Sequence, residues 1–521
     1  MPGYKIVLTG DRTVMSTYGS GLFYGFLTTG PTKGFIPLPI LTRTILRPVP
    51  VGKRGEAILA PHGLRRVEAA LRESKVVDED DIIVVPPRNL YKAVSEKTKI
   101  IGIYTIDPLG RGPASTTFSG FTGIVHSEPI TAYYFRKLIT SKIVQEARRR
   151  GTRVVVGGPG TWQFDLESMK RLGIDIVVHG ECDKAAPKLF QEILEDSIKI
   201  PTIINIPILE YPRADEIPLL KGATIGGYVE VSRGCGRGCK FCRPTMVPLR
   251  HRPIEQIVKD VEINVRYGQT GICLGAEDIF KYGARPLEVR HEKVIKLFKS
   301  ILKVPGVMIT SFAHANLSSI AAYPNTVREV AELLGADEYH WIGFQTGIET
   351  GSPHLIELHM DRKPYPFKAS EWPEVVEMAF SICHDLGLVP AATIIVNLPG
   401  ERESDVVRTV ELIEDLKFYR SLIVPLLYVD FTKYGSMRFV EDAKWYHWEL
   451  YKVIWRHDMK WLPELVKGYT RRNSVITRIF MDLFIRMLRI VNRKVEAYIE
   501  DNLRKLRERD IRKITPIVHE Y

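Results

Sequence analysis

The chain is poor in cysteine, with six in 521 residues. A set that sparse cannot staple a protein of this length into a disulfide framework. No apolar run approaches the roughly 18 residues that cross a bilayer. The opening segment, "MPGYKIVLTGDRT", lacks the apolar stretch and small-residue cleavage site of a secretory signal. Internal repeats and low-complexity tracts are missing as well. These absences point to a cytoplasmic protein in reducing surroundings. What is present is ordinary for a globular protein, 45% hydrophobic and 26% charged residues, with length enough for two or three domains. The net charge of +12 calls for an acidic partner or surface: nucleic acid, a phosphorylated metabolite or anionic lipid.

Three of the six cysteines crowd into "SRGCGRGCKFCRP" (232–244), as Cys235, Cys239 and Cys242, with Gly234, Gly236 and Gly238 between or before them. A structural zinc site takes four ligands, usually in two pairs. Here Cys182, Cys273 and Cys383 stand singly, and the nearest downstream histidine is His251. Packing thiols do not bunch between glycines at a strand end. The third reading is an iron–sulfur cluster held by three thiolates, with one iron left open for a molecule that comes and goes. Glycines let such a loop wrap closely, and Arg233, Arg237, Lys240 and Arg243 are expected to offset the cluster's negative charge.

The fold class expected around this loop is α/β. Residues 1–200 alternate strand and helix, with strands in 99–107, 152–160 and 174–181, which predicts a doubly wound, Rossmann-like parallel sheet whose ligands lie beyond the strand C-termini. Residues 201–221, with prolines at 201, 207, 212 and 218, read as an extended linker. Residues 222–440 hold six candidate strands separated by helices, suited to a partial (β/α) barrel. Residues 441–521 read as a basic helical region.

With C-x3-C-x2-C placed just after the first barrel strand and Phe241 beside the last cysteine, the chain resembles the radical S-adenosylmethionine (SAM) superfamily. The resemblance implies a [4Fe–4S] cluster on Cys235, Cys239 and Cys242. It also implies SAM bound to the open iron and cleaved reductively to a 5′-deoxyadenosyl radical, with a donor such as ferredoxin or flavodoxin supplying the electron. "LGAEDIF" (274–280) is similar to the family's Gly-Gly-Glu segment, with Glu277 for the SAM amino group and Ala276 departing from the pattern. "GFQTGIETGSP" (343–353) resembles the fourth-strand segment, which implies Glu349 and Ser352 near the ribose or carboxylate. "TIIVNLPGE" (393–401) resembles the adenine-packing segment, with Thr393 and Asn397 where glycines are often found. His314, in "SFAHANL", ends a barrel strand and is a candidate for the substrate cavity.

"VVVGGPGTW" and "LGIDIVVHGECD" make the first domain similar to the cobalamin-binding domain fused to many radical SAM enzymes. The implied ligand edge is Asp107, Gly157, Gly158 and Gly180. In place of that domain's Asp-x-His-x-x-Gly the chain has "DPLGRG", with Leu109 in the histidine position. Either cobalamin binds without a protein ligand to cobalt, or the domain keeps the fold without the cofactor. More distantly, "VLTGDRTVMSTYGSGLFYGFLTTGP" and the layout resemble archaeal members that build tetraether links or rings on isoprenoid lipids. That implies C–C bond formation on a lipid, with cobalamin-dependent methyl transfer as the alternative and RNA modification as a reading of another class. A tail helix at 474–499 sets Ile476, Ile479, Phe480, Leu483, Phe484, Met487, Leu488 and Val491 on one face after a Ser474 cap. It is expected either to dock on anionic membrane or to cap the barrel.

Overall fold

The computed structural model describes residues 3–18, 22–34, 37–120, 122–243, 247–432, 435–470 and 475–514. Its first unit is a six-stranded parallel sheet of β1 (Ile6–Gly10), β2 (Ile82–Val84), β3 (Ile100–Tyr104), β4 (Arg153–Gly157), β5 (Ile176–His179) and β6 (Thr202–Asn205), in the order β2-β1-β3-β4-β5-β6. Both faces of these strands are apolar. Along β1, Ile6 and Leu8 enter one core layer while Val7 enters the other. That is the signature of a parallel sheet covered on two sides. Helices α1 (His62–Ser74), α2 (Ile130–Ile139), α3 (Lys142–Arg149), α4 (Leu166–Leu172) and α5 (Ala186–Leu194) supply the cover. The strand order reverses between β1 and β3, so the crevice beyond Gly10 and Tyr104 is the expected ligand side.

One boundary differs from expectation. β6 falls inside the stretch read as a linker and pairs with β5 from Ile176↔Thr202 to His179↔Asn205. The first domain therefore runs to 205. Pro201 and Pro207 flank the strand rather than interrupt it, and this strand lies at the sheet edge, where flanking prolines cost no ladder bonds.

The second unit is a partial barrel of six parallel strands: β7 (Tyr228–Glu230), β8 (Gly271–Gly275), β9 (Ile309–Phe312), β10 (Ile342–Glu349), β11 (Leu388–Val396) and β12 (Leu422–Leu427). Two three-stranded ladders are joined where Gln345 N–H donates to the Ala313 carbonyl at 2.8 Å and Ala315 N–H to that of Gln345 at 3.1 Å. Helices α6 (Ile254–Arg266), α7 (His291–Leu302), α8 (Pro324–Leu334), α9 (Pro353–Met360), α10 (Trp372–Asp385) and α11 (Glu403–Asp415) ring the outside. Burial alternates along the strands. On β11, Ala392, Ile394 and Val396 are buried under helices, while Ala391, Thr393 and Ile395 are half-buried on the inner side. The lumen is thus open enough to leave its lining accessible.

Two long helices follow, α12 (Trp445–Thr470) and α13 (Val475–Ile514). α12 lies on β12 and α11, with Trp461 and Leu465 buried against Val389. Of the tail-helix expectation, Ser474 and the side chains of Ile476, Ile479, Phe480, Leu483, Phe484 and Met487 lie outside the described residues. The described part of α13 packs on α12: Ile499 and Leu503 are buried, and Trp455 Nε1 donates to Asn492 Oδ1 at 2.6 Å. Arg486, Arg489, Arg493 and Lys494 are exposed. No helix among the described residues is long and apolar enough to cross a membrane.

Candidate active site

The cysteine loop leaves the end of β7 at the C-terminal face of the barrel. Cys239 is buried, Cys235 and Cys242 are half-buried, and none is in a disulfide. Gly234, Gly236 and Gly238 all have left-handed backbones, with φ of 77°, 75° and 81°, which residues with a side chain rarely adopt. At Gly234 a Cβ would also lie 2.6 Å from the Pro248 carbonyl oxygen and 2.7 Å from that of Val247. Among the described residues no three His, Cys, Asp or Glu side chains are set to share one metal ion. A cluster needs no such convergence, because each thiolate binds its own iron.

The basic residues of the loop are used differently from expectation. Arg237 is buried, and its Nη1 donates to the carbonyls of Lys363 (2.9 Å) and Tyr365 (3.2 Å). Its Nη2 reaches Asp278 Oδ2 (3.2 Å) and Ser319 Oγ (2.8 Å). Arg237 therefore fastens the loop to the segments after β8 and α9. Its Nε–H is buried with no partner among the described residues. Arg233 is spent on the first domain, at 2.7 Å from both Glu181 and Asp183, and on Glu230 at 2.8 Å. Lys240 Nζ donates to the Leu358 carbonyl at 2.7 Å. Arg243 sits 5.9 Å from the Phe431 ring, which meets Trp162 of the first domain edge-on.

Two other cations flank the loop. Lys281 is 1% exposed, and its Nζ donates to the Cys235 carbonyl at 2.8 Å. Burial, then the Arg237 charge, lower its pKa to about 8. Lys363 is buried, 3.3 Å from Glu349 and 5.8 Å from the Trp372 ring. Burial alone would lower Lys363, but Glu349 and the thiols of Cys239 and Cys235 outweigh it and raise its pKa. Neither lysine belongs to a motif. The only hint is Lys281 inside the otherwise apolar "IFKYGA". Three thiols free of disulfides, a loop that only glycine permits, an orphan donor and buried cations beside it fit a [4Fe–4S] group.

The remaining candidates cluster at the same face, at or just beyond the strand ends. Phe241 is half-buried against the barrel core. Glu277, after β8, is accessible at the mouth yet surrounded by protein, and burial raises its carboxyl, opposed by neighbouring His314. Glu349 ends β10 with φ 65° and accepts from Thr393 Oγ1 at 3.0 Å. Asn397 follows β11, exposed, with φ 66°; asparagine tolerates this backbone where glycine is otherwise used. Its N–H donates to Glu401, whose carboxylate is held by His447 of α12 at 2.9 Å. Ser352 is placed differently. It is buried, caps α9 and donates to Asp405 at 2.5 Å, so its hydroxyl is committed within the protein.

On the first domain, Asp107 is saturated. Its oxygens accept from Gly112 N–H (2.9 Å), Gln163 Nε2 (2.6 Å) and Ser115 Oγ (2.5 Å). Leu109 packs on the core while its N–H donates to Gln163 at 2.8 Å. A Cβ on Gly158 would meet the Thr105 carbonyl oxygen at 2.4 Å, and one on Gly180 the Tyr211 hydroxyl at 2.8 Å. These two glycines serve chain packing, and Gly157 alone faces open space. These residues do not fit a histidine-ligated cobalamin. Asp11 Oδ2, Thr105 Oγ1 and His179 Nδ1 are buried along this edge without partners among the described residues.

A flavodoxin-like sheet clamped by salt bridges to a six-stranded half-barrel, with a three-thiolate loop at the barrel mouth, defines an iron–sulfur enzyme of the SAM-dependent radical class. Residues 229–413 match the model of the radical SAM superfamily, whose cofactors are a [4Fe–4S] cluster and SAM. It is 22% identical over 290 residues to the tRNA-2-methylthio-N(6)-dimethylallyladenosine synthase of Orientia tsutsugamushi, covering 54% of this chain and 60% of that protein. Against the ribosomal protein uS12 methylthiotransferase RimO of Akkermansia muciniphila it is 26% identical, over 40% of this chain and 47% of the relative. The chain thus spans less than two thirds of the length of these relatives. In fold it is similar to the radical SAM methyltransferase TsrM from Kitasatospora setae, solved with cobalamin and a [4Fe–4S] cluster. The TM-score is 0.50 at 14% identity, over 81% of this chain and 75% of that one.

Proposed function

We propose that the protein functionalises an unactivated C–H bond of an apolar substrate, forming a C–C bond or ring on an isoprenoid membrane lipid. When bound, the cluster and SAM supply a 5′-deoxyadenosyl radical as hydrogen-atom abstractor. The observation that carries the substrate class is the split polarity of the lumen. Its accessible lining on β11 and β12 includes Ile395, Val424 and Leu426, with the Thr393 hydroxyl donated to Glu349, whereas β8 to β10 present Cys273, Ser311 and Gln345. Glu349 and Lys363, paired at 3.3 Å, lie close enough to Cys239 to act on its thiol, and Glu277 stands at the end of β8 near His314; a zwitterionic cofactor needs such acceptors and donors. The apolar wall opposite would hold a chain that makes no hydrogen bonds. Exposed Arg486, Arg489, Arg493 and Lys494 on α13 favour contact with an anionic membrane surface, each adding about 1 kcal/mol near headgroups. A ferredoxin- or flavodoxin-type donor would supply the electron.

Methyl transfer is the second reading, favoured by the buried polar atoms on the first-domain edge that have no partner among the described residues. RNA modification draws on the net charge and on relatives named for tRNA. Against it, the described C-terminal residues form two helices rather than a small β-barrel of RNA-binding type. Anaerobic purification with iron, sulfide and cobalt analysis, followed by lipid and RNA extraction and incubation with SAM and a reductant, separates the three. The lipid reading expects iron without cobalt and an isoprenoid product lighter by two hydrogen atoms. Gain of one CH2 group would indicate methyl transfer, and modified RNA with unchanged lipid would sink the proposal.

A further inference from the structure

Lys281 is an ammonium in an unusual place. It is 1% exposed, and the ammonium's one hydrogen bond among the described residues runs to the Cys235 carbonyl. A buried ammonium is costly unless a carboxylate faces it, yet no described carboxylate forms an ion pair with Lys281. The carboxylate of Asp278, whose backbone carbonyl accepts the Lys281 N–H at 3.1 Å, reaches the ammonium only through space. That carboxylate is already engaged by Arg237 at 3.2 Å, Ser319 Oγ at 2.6 Å and Asn316 N–H at 3.3 Å. Arg233, at the start of the loop, is matched by its own carboxylates, buried Asp183 among them; the other buried charges beside the loop are Arg237, Lys281 and Lys363 against Asp278 and Glu349. Arg237 pairs with Asp278 and Lys363 with Glu349, which leaves the Lys281 charge in excess. Exposed Arg362 and Lys240 add little, because water screens them.

Three cysteine thiolates around a [4Fe–4S]2+ core carry one net negative charge, and one-electron reduction adds a second. Net charge and hydrogen bonding are the levers by which a protein sets the potential of such a cluster. We propose that Lys281 is the internal counter-ion of the cluster and raises its reduction potential, favouring the reduced form that must pass an electron to SAM. The lysine binds no iron and touches no substrate; it is a positioning residue acting through charge at the Cys235 carbonyl. The inference rests on the cluster reading above.

The test is an EPR-monitored redox titration of the full-length, anaerobically reconstituted protein, with Lys281→Gln and Lys281→Arg. Glutamine keeps a donor for the Cys235 carbonyl but removes the charge, while arginine keeps the charge. Lys281→Gln is expected to disfavour reduction at least tenfold, a shift of 59 mV to lower potential for a one-electron couple. Lys281→Arg should stay within threefold of the parent. A fully iron-loaded Lys281→Gln protein with an unchanged potential overturns the proposal. Iron loading by the arginine variant alone supports it, since charge then decides whether the cluster is held. If neither variant loads iron, shape rather than charge is required and the proposal falls. A parent protein that binds no iron removes the cluster reading itself, an outcome distinct from all of these.

Discussion

Gly234 and Gly236 sit two residues apart in one loop, share a left-handed backbone, and are predicted to respond very differently to alanine. Placing any Cβ in that conformation costs about 1–2 kcal/mol, and both positions bear this cost, with φ of 77° and 75°. At Gly234 the new methyl would also stand 2.6 Å from one carbonyl oxygen and 2.7 Å from another, at Pro248 and Val247. Backbone cannot swing aside as a flexible side chain does, so overpacking of this kind adds about 1–3 kcal/mol. At Gly236 the nearest atoms are side-chain carbons of Leu249 at 3.7 and 3.8 Å, an ordinary contact. The difference, about 1–3 kcal/mol, corresponds to a gap of about 5-fold to 150-fold in cluster retention. Iron and sulfide per chain after anaerobic reconstitution, challenged with a chelator, reads this directly. Gly234→Ala should lose its cluster while Gly236→Ala keeps most of it. Equal retention in the two variants would refute the steric reasoning and leave backbone conformation as the whole reason for glycine here.

Other outcomes follow from the same contacts. Arg237→Met strands Asp278 in the interior, so thermal denaturation should show a loss of about 3–5 kcal/mol, partly recovered by adding Asp278→Asn; no recovery would mean that the carbonyl contacts of Arg237 dominate. Ser352→Ala removes a helix cap and should cost about 1 kcal/mol with SAM affinity, measured by equilibrium dialysis, unchanged within twofold; a large affinity loss would return Ser352 to the SAM site. Burial raises Asp11 from 3.8 to about 6, so the folded state keeps a proton that the unfolded chain releases. Its contribution is greatest below pH 4 and is lost as pH rises through about 6. Asp11→Asn, which keeps an acceptor for Thr13, should therefore gain on the order of 2–3 kcal/mol over the parent between pH 4 and 8. A stability gap that does not vary with pH would contradict a neutral Asp11.

The chemistry-bearing loop was legible because it is local. Three thiols at fixed spacing with glycines between them state their purpose without reference to the rest of the chain, and the six barrel strands were readable because each is a short apolar run bounded by turn residues. The resemblance to the superfamily followed from those local signals in order. β6 was not legible: "TIIN" between prolines resembles a linker until β5 is there to pair with it, and pairing is a non-local property. The loop arginines were misjudged for a related reason. A charge next to a cysteine in sequence looks like the cluster's counter-charge, but in the fold Arg233 meets Glu181 and Asp183 of the other domain and Arg237 meets Asp278. Ser352, read beside SAM, is turned inward to Asp405, 53 residues away. Conversely Lys281 and Lys363 come from separate segments, after β8 and after α9, and reach the cysteines only when the barrel closes. Spacing within the chain settles which groups can act as a unit on one loop; which charges are left over to act on that loop is decided only by what the folded protein brings against it, since burial and pairing depend on contacts between distant segments.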